Sequence, residues 1–261
     1  MLAIVAANGC GRADVRCAAG LRSVKLDQPM PSDRQNLLID ADDTLWENNI
    51  YFERVIAAFI SFLNHHTFTP QQVREVLYEV ERKNIVTHGY GLASFARALV
   101  ITFEQLSVEP VTPALHSTIE EFARTIAEHP MEIIAGVEPT LEYLQARHRM
   151  IVVTKGDSIE QSGKFERSGL ARYFEDIEIV SEKDAPTYLK VIAKYALEPK
   201  ITWMIGNSPR SDINPSLAAG INAVFVPHAN TWALEHETLD SAPAGQTLLS
   251  VDSFEHLRNH F

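Results

Sequence analysis

Two stretches, Met-Ile-Val-Val at 150–153 and Ile-Thr-Trp-Met-Ile at 201–205, are short and apolar almost without a break. A strand with one wet face alternates apolar and polar residues, so near-continuous apolarity at strand length demands cover on both faces. That condition belongs to strands of a parallel sheet flanked by helices. Further short apolar runs at 37–39, 177–180, 223–226 and 247–249 alternate with helical periodicity at 138–147, 159–168, 186–196 and 211–219. The pattern specifies an α/β fold, a doubly wound Rossmann-like parallel sheet.

One stretch breaks the alternation. Between the first strand and Gly136 lie about ninety residues of helical character, which read as an all-helical cap domain inserted at 47–135, leaving 36–46 and 136–261 as the catalytic core. In TPQQVREVLYEVE, Val73, Val76, Leu77 and Val80 share one face, Thr69 is placed to cap the helix, Pro70 takes its first position and Gln72 closes a capping box. Thr112 and Pro113 repeat that entry signal ahead of Leu115, Ile119, Phe122 and Ile126.

Residues 1–35 are rich in Ala, Gly and Arg without periodicity and read as a disordered extension. The opening MLAIVAANGC lacks a basic start and has too short an apolar stretch for a good signal peptide. Cys10 and Cys17 have neither zinc-site spacing nor partners for a disulfide framework, which points to a reducing cytoplasm. No apolar run approaches a membrane span, and a formal charge of -11 opposes general binding to nucleic acid. A small phosphorylated substrate answers only to the local field and stays compatible with that charge.

Ligands of an open parallel sheet collect beyond the carboxyl ends of its strands. There the sequence places Asp40 and Asp42 after the first strand, Thr154 after the second, Lys183 after the third, Gly206 and Asn207 after the fourth, and Asp212 near the next helix start. Two carboxylates so close repel one another, and a divalent cation or a lysine relieves the repulsion. Because the donors are all oxygens, Mg²⁺ is the expected ion.

The run Asp40-Ala41-Asp42-Asp43-Thr44-Leu45, followed in order by Thr154 in VVTKGD, Lys183 in SEKDAP and GNSPRSD at 206–212, resembles the four motifs of the haloacid dehalogenase-like hydrolases. The resemblance spans nearly all of 36–261, and the helical insert is similar to the cap of one branch of that superfamily. It implies that Asp40 attacks phosphorus to form an aspartyl phosphate and that Asp42 protonates the leaving group and then assists water. It further implies that Thr154 and backbone donors near Asp42 and Lys155 hold the phosphoryl group, that Lys183 offsets negative charge, and that Asp40, Asp42, Asn207 and Asp212 hold magnesium. Asp42 is expected to share the magnesium side with Asp40, and Asp43 to point elsewhere as a turn or capping residue.

Two positions depart from the family pattern. Asn207 stands where many members carry an acid, and Asp184 and Ala185 separate Lys183 from the proline that often follows it, which leaves Lys155 and Lys164 as rivals. Three acids against Mg²⁺ and Lys183 still balance. In NIVTHGYG at 84–91, His88 and Tyr90 are candidates for contact with substrate, whereas His228 and Trp232 read as surface or packing residues.

Signatures of P-loop enzymes, serine hydrolases and zinc peptidases are absent from the sequence. The expectation is a Mg²⁺-dependent phosphatase of a small phosphorylated metabolite. The alternatives are a haloacid dehalogenase, a phosphomutase, or a binding protein that has lost turnover.

Overall fold

The computed structural model describes residues 34–261 except 64–66, 109 and 111. Most of the extension expected at 1–35, with both cysteines, therefore lies outside the described residues. Gln35 lies within them and is tied into the fold, its carbonyl accepting from the Arg149 N–H and its side chain from Trp203.

Six strands form one parallel sheet: β1 (Asn36–Ile39), β2 (Arg149–Lys155), β3 (Asp176–Val180), β4 (Thr202–Gly206), β5 (Asn222–Phe225) and β6 (Leu248–Ser250), in the order β3-β2-β1-β4-β5-β6. All six expected strands form, each within about two residues of its predicted bounds. Chain order reverses at β1, which has β2 on one side and β4 on the other, so the crevice rule puts a ligand at the carboxyl end of β1. Both faces of the sheet are covered, as its apolarity required. Leu37, Ile39, Val152 and Ile205 pack into one cluster, while Leu38, Ile151, Val153 and Met204 pack into another with Tyr188.

The insert contains helices α1 (Asn49–Leu63), α2 (Pro70–His88), α3 (Leu92–Leu106) and α4 (Pro113–Glu128). Thr69 and Gln72 make the expected reciprocal capping box, and Thr112 accepts from the Leu115 N–H. The four helices surround an apolar cluster of their own that includes Phe59, Leu77, Leu99 and Ile119, all wholly buried. Each such side chain contributes about 1.5–3 kcal/mol on burial, so the block has a core separate from the sheet.

Helices α5 (Val137–Gln145), α6 (Ser158–Ser168) and α7 (Ala185–Lys194) start close to their expected positions. The helix expected at 211–219 differs. It begins as a wide π turn, Pro209–Ile213, and only then becomes the short helix α8, Asn214–Ala218. Pro215 has no N–H to continue a regular ladder, and the N–H of Ile213 reaches back to the Ser208 carbonyl. Such wide turns recur at functional sites because they re-aim a side chain. Here the side chain is Asp212.

Candidate active site

β1 ends at Ile39, and the Asp40 N–H bonds to the Ile205 carbonyl of β4. The backbone then turns: Asp43 adopts φ +60, and Asp42 and Trp46 form an isolated bridge. The carboxylate of Asp43 accepts the N–H groups of Asn48 and Asn49 at the start of α1, the capping role expected of it. Burial pushes Asp43 up to about 7, with Asp42 and Asp40 adding to the rise against those backbone donors.

Lys183 is 3% exposed, and its ammonium bonds to Asp40 Oδ1 and, at 2.7 Å, to Asp212 Oδ1. This settles which lysine faces Asp40: three residues beyond β3, Lys183 reaches across to β1, while Lys155 and Lys164 go elsewhere. Burial alone would lower Lys183, but its two carboxylate partners outweigh that and raise it above its ordinary value. Asp212 is 1% exposed, and burial together with neighbouring Asp40 pushes it up to about 7 against the pull of Lys183. One ammonium cannot neutralise two buried carboxylates, so the second retains affinity for a proton or a cation.

Asp212 comes this close because residue 206 is glycine. A Cβ there would lie 2.2 Å from Asp212 Oδ2. The N–H of Ser208 donates to the same oxygen at 3.0 Å.

Asp42 departs from expectation. Its carboxylate accepts from Lys164 Nζ at 2.8 and 2.9 Å, from Gln161 at 2.9 Å and from Trp46 Nε1 at 2.7 Å. The side chain is thus turned toward α6, away from the Asp40, Lys183 and Asp212 cluster, and does not join those metal-capable oxygens. The expectation rested on alternation with Ala41, but the groups that take up the Asp42 oxygens, Lys164 and Gln161 on α6 and the Trp46 indole, decide its direction. Burial would raise Asp42, yet Lys164, Gln161 and Trp46 together hold it below the usual carboxylate range.

Asn207 is buried, donates to Thr231 at 3.0 Å and turns its oxygen to within 3.4 Å of Thr44 Oγ. That hydroxyl also lies 3.0 Å from Asp40 Oδ2. A hydroxyl has one hydrogen, so one of these two oxygens keeps an open lone pair. With Lys164 committed to Asp42, the inner group of Asp40, Asp212 and Lys183 carries a net charge of about -1. Oxygen donors, an open acceptor and excess negative charge suit a hard divalent cation at Asp40, Asn207 and Asp212. Separately, Asp43, Glu47 and His228 hold one ligand atom each within 4.8 Å of one another.

A cavity of about 160 Å³ opens above the cluster and is lined by Asp40, Asp42, Thr154, Lys155, Tyr90 and Asn207, among others. Tyr90 is engaged on several sides, donating to Glu182 at 2.7 Å and packing its ring edge-on to Trp232. His88 does not line the cavity; it is exposed at the end of α2. It is the last residue of α2, ahead of the turn that begins at Gly89. Trp232, expected to pack or face solvent, is a wall of the cavity.

Sequence reasoning missed Gln161, Lys164 as partner of Asp42, and Glu235. Glu235 is buried, bonded to Lys155 and Ser208 at 2.6 Å each. It follows β5 in a segment without periodicity, so nothing local marked it. Gln161 and Lys164 stand three apart on α6, on one helical face, which was the available signal.

The family model described as haloacid dehalogenase-like hydrolase matches residues 35–220. A haloacid dehalogenase-like family hydrolase from Xanthomonas campestris is 29% identical, with a TM-score of 0.74 over 87% of this chain and 94% of that one. A HAD-hydrolase of Bacillus subtilis bound to magnesium is 18% identical, TM-score 0.62, over 87% and 98%. A 2-haloacid dehalogenase of Pseudomonas syringae pv. Tomato is also 18% identical, TM-score 0.56, over 87% and 97%. The last two likenesses are of fold. None of the curated proteins matches this sequence.

Proposed function

The chain belongs to the haloacid dehalogenase-like hydrolases, and from that membership we propose that it is a Mg²⁺-dependent phosphatase of a small phosphorylated metabolite. The observation that carries this reading is the second acid. Asp42 lines the same cavity as Asp40, at its α6 side, where Lys164, Gln161 and Trp46 hold its carboxylate. A halide leaves without a proton, so a dehalogenase would have no use for such a group; an alkoxide needs one.

Asp40 is the nucleophile. Lys183 on one oxygen and Thr44 near the other fix its carboxylate, so the attacking lone pair is oriented before substrate arrives. Its attack on phosphorus forms the acyl phosphate and breaks the bond to the ester oxygen. Thr154, at the end of β2, and the backbone near Lys155 hold phosphoryl oxygens. Asp42 enters as a carboxylate because Lys164 holds it low, so the proton for the leaving oxygen comes from the Asp42–Lys164 pair. The same carboxylate then orients water against the acyl phosphate.

Magnesium, held by Asp40, Asn207 and Asp212, would offset phosphoryl charge. Residues 36–46 and 136–261 act as the catalytic core and 47–135 as a cap that excludes water and selects substrate. The Glu160 carboxylate accepting the Leu92 N–H at 2.9 Å ties the two at the cavity edge.

Purified protein assayed with p-nitrophenyl phosphate and a metabolite panel, with and without Mg²⁺, tests the reading. Wild type should release phosphate in a Mg²⁺-dependent manner and Asp40→Asn should not. Equal slow release by both proteins would overturn it.

A further inference from the structure

Among the described residues, eight carboxylic acids and three lysines line the cavity, an excess of five acids, and neither arginine nor histidine is among them. All three lysines are spent: Lys183 on Asp40 and Asp212, Lys164 on Asp42, and Lys155 on Glu235. Asp43 caps α1, Asp157 receives the N–H groups of Ile159 and Glu160, and Glu160 receives that of Leu92. Glu81 is what remains.

Glu81 sits on α2 in the helical block, 7% exposed, and its Oε2 is buried without a hydrogen-bond partner among the described residues. Burial pushes it up to about 8; Glu53 adds to the rise, and Arg74 and Arg82 act against it. Arg74 is itself paired with Glu53. An orphaned buried carboxyl is costly, and an apolar residue would fill the position on this helix face without that cost. The cavity that Glu81 lines is also lined by Ile85, one helical turn further on, and by Phe52 and Phe95, whose rings meet edge to face at 5.0 Å.

We infer that Glu81 is a recognition group for the end of the substrate remote from phosphorus, and that the cavity takes phosphomonoesters of primary amines. The inference rests on the phosphatase reading and narrows its substrate class. An ammonium brings three donors to a carboxyl that lacks one and favours its ionised form, and aromatic rings on the same cavity wall favour a cation. A phosphoryl dianion entering a wall with five surplus acids is helped by a positive charge on the same molecule. An alcohol at that end supplies a donor without the charge, and a carboxylate adds to the surplus of acids on the wall.

The test compares kcat/KM of the full-length chain for aminoalkyl phosphates of increasing length with that for hydroxyalkyl phosphates of the same lengths. Calorimetric binding of both series to Asp40→Asn runs in parallel. Wild type should favour the amine at one chain length by roughly tenfold to a hundredfold, the range of a hydrogen bond to a charged group, and mainly through KM. Glu81→Gln should bring amine and alcohol to near parity, and Glu81→Asp should move the optimum to a longer amine.

Equal kcat/KM for amines and alcohols in the wild type would overturn the inference while leaving the phosphatase reading intact, and this comparison needs no variant to fold. A preference that survives Glu81→Gln would overturn it as well. Selective binding of amines with no phosphate release from any ester would sink the phosphatase reading and keep the amine site. Neither release nor selective binding would reject both.

Discussion

Replacing Lys183 by methionine keeps most of the side-chain volume and removes the one positive charge between Asp40 and Asp212. All three groups are nine-tenths or more buried, so water cannot take over. At an effective dielectric near 20, a charge about 4 Å away matters by about 4 kcal/mol, and breaking a buried ion pair by deleting one partner costs about 3–5 kcal/mol. For a chain of this size that is a fall in Tm of roughly 6–20 °C.

The pH dependence separates charge from packing. Asp212 lies near 7 with the lysine present, above its ordinary value, so below pH 7 both native proteins hold this proton. A carboxyl raised in the native state loses stability as pH climbs from its unfolded value to its native one. Without Lys183 that window extends further upward. Between pH 7 and the new, higher value the deficit of Lys183→Met should therefore widen by up to about 1.4 kcal/mol per pH unit. Urea and thermal unfolding at pH 6 and pH 9, followed by circular dichroism, read this out. An identical deficit at both pH values would show that Lys183 acts by packing alone and would refute the charge argument.

Asn207→Asp adds a carboxylate beside Thr44 and Asp40, so half-maximal activity should need less Mg²⁺; an unchanged metal titration would remove the idea. Lys164→Met frees Asp42 from a group that lowers it, so the acid limb of the kcat/KM profile, where the Asp42 carboxylate takes up a proton, should move to higher pH; an unmoved limb would take Asp42 out of proton transfer. Gly206→Ala drives a methyl into Asp212, which should destabilise the fold by about 1–3 kcal/mol and reduce activity at least roughly tenfold; wild-type melting and turnover would show that Asp212 relaxes freely.

The architecture was legible because its signals are local. Apolar runs at 150–153 and 201–205 demand cover on two faces wherever they lie, and they became adjacent neighbours of β1. Thr69, Pro70 and Gln72 write a helix start into four consecutive residues, and the structure forms it. Boundaries failed where a longer-range demand prevailed, as at 209–213, where a wide turn delivers Asp212 to Lys183.

The site divided along the same line. Sequence order alone put Asp40, Thr154, Lys183, Asn207 and Asp212 beyond the carboxyl ends of neighbouring strands, because a parallel sheet leaves them nowhere else to go. It did not decide which acid meets which base. Lys183 and Asp40 are 143 residues apart, and Lys164 and Asp42 are 122 apart, so each pairing rests on strand order and helix rotation rather than on spacing. Asp42 shows the limit most plainly: alternation aims it beside Asp40, and Lys164 and Gln161, more than a hundred residues away on α6, take its carboxylate instead. Glu81 closes the stretch TPQQVREVLYEVE with no local mark of a role. Only the packing of α2 over the cavity made it an acid in want of a cation.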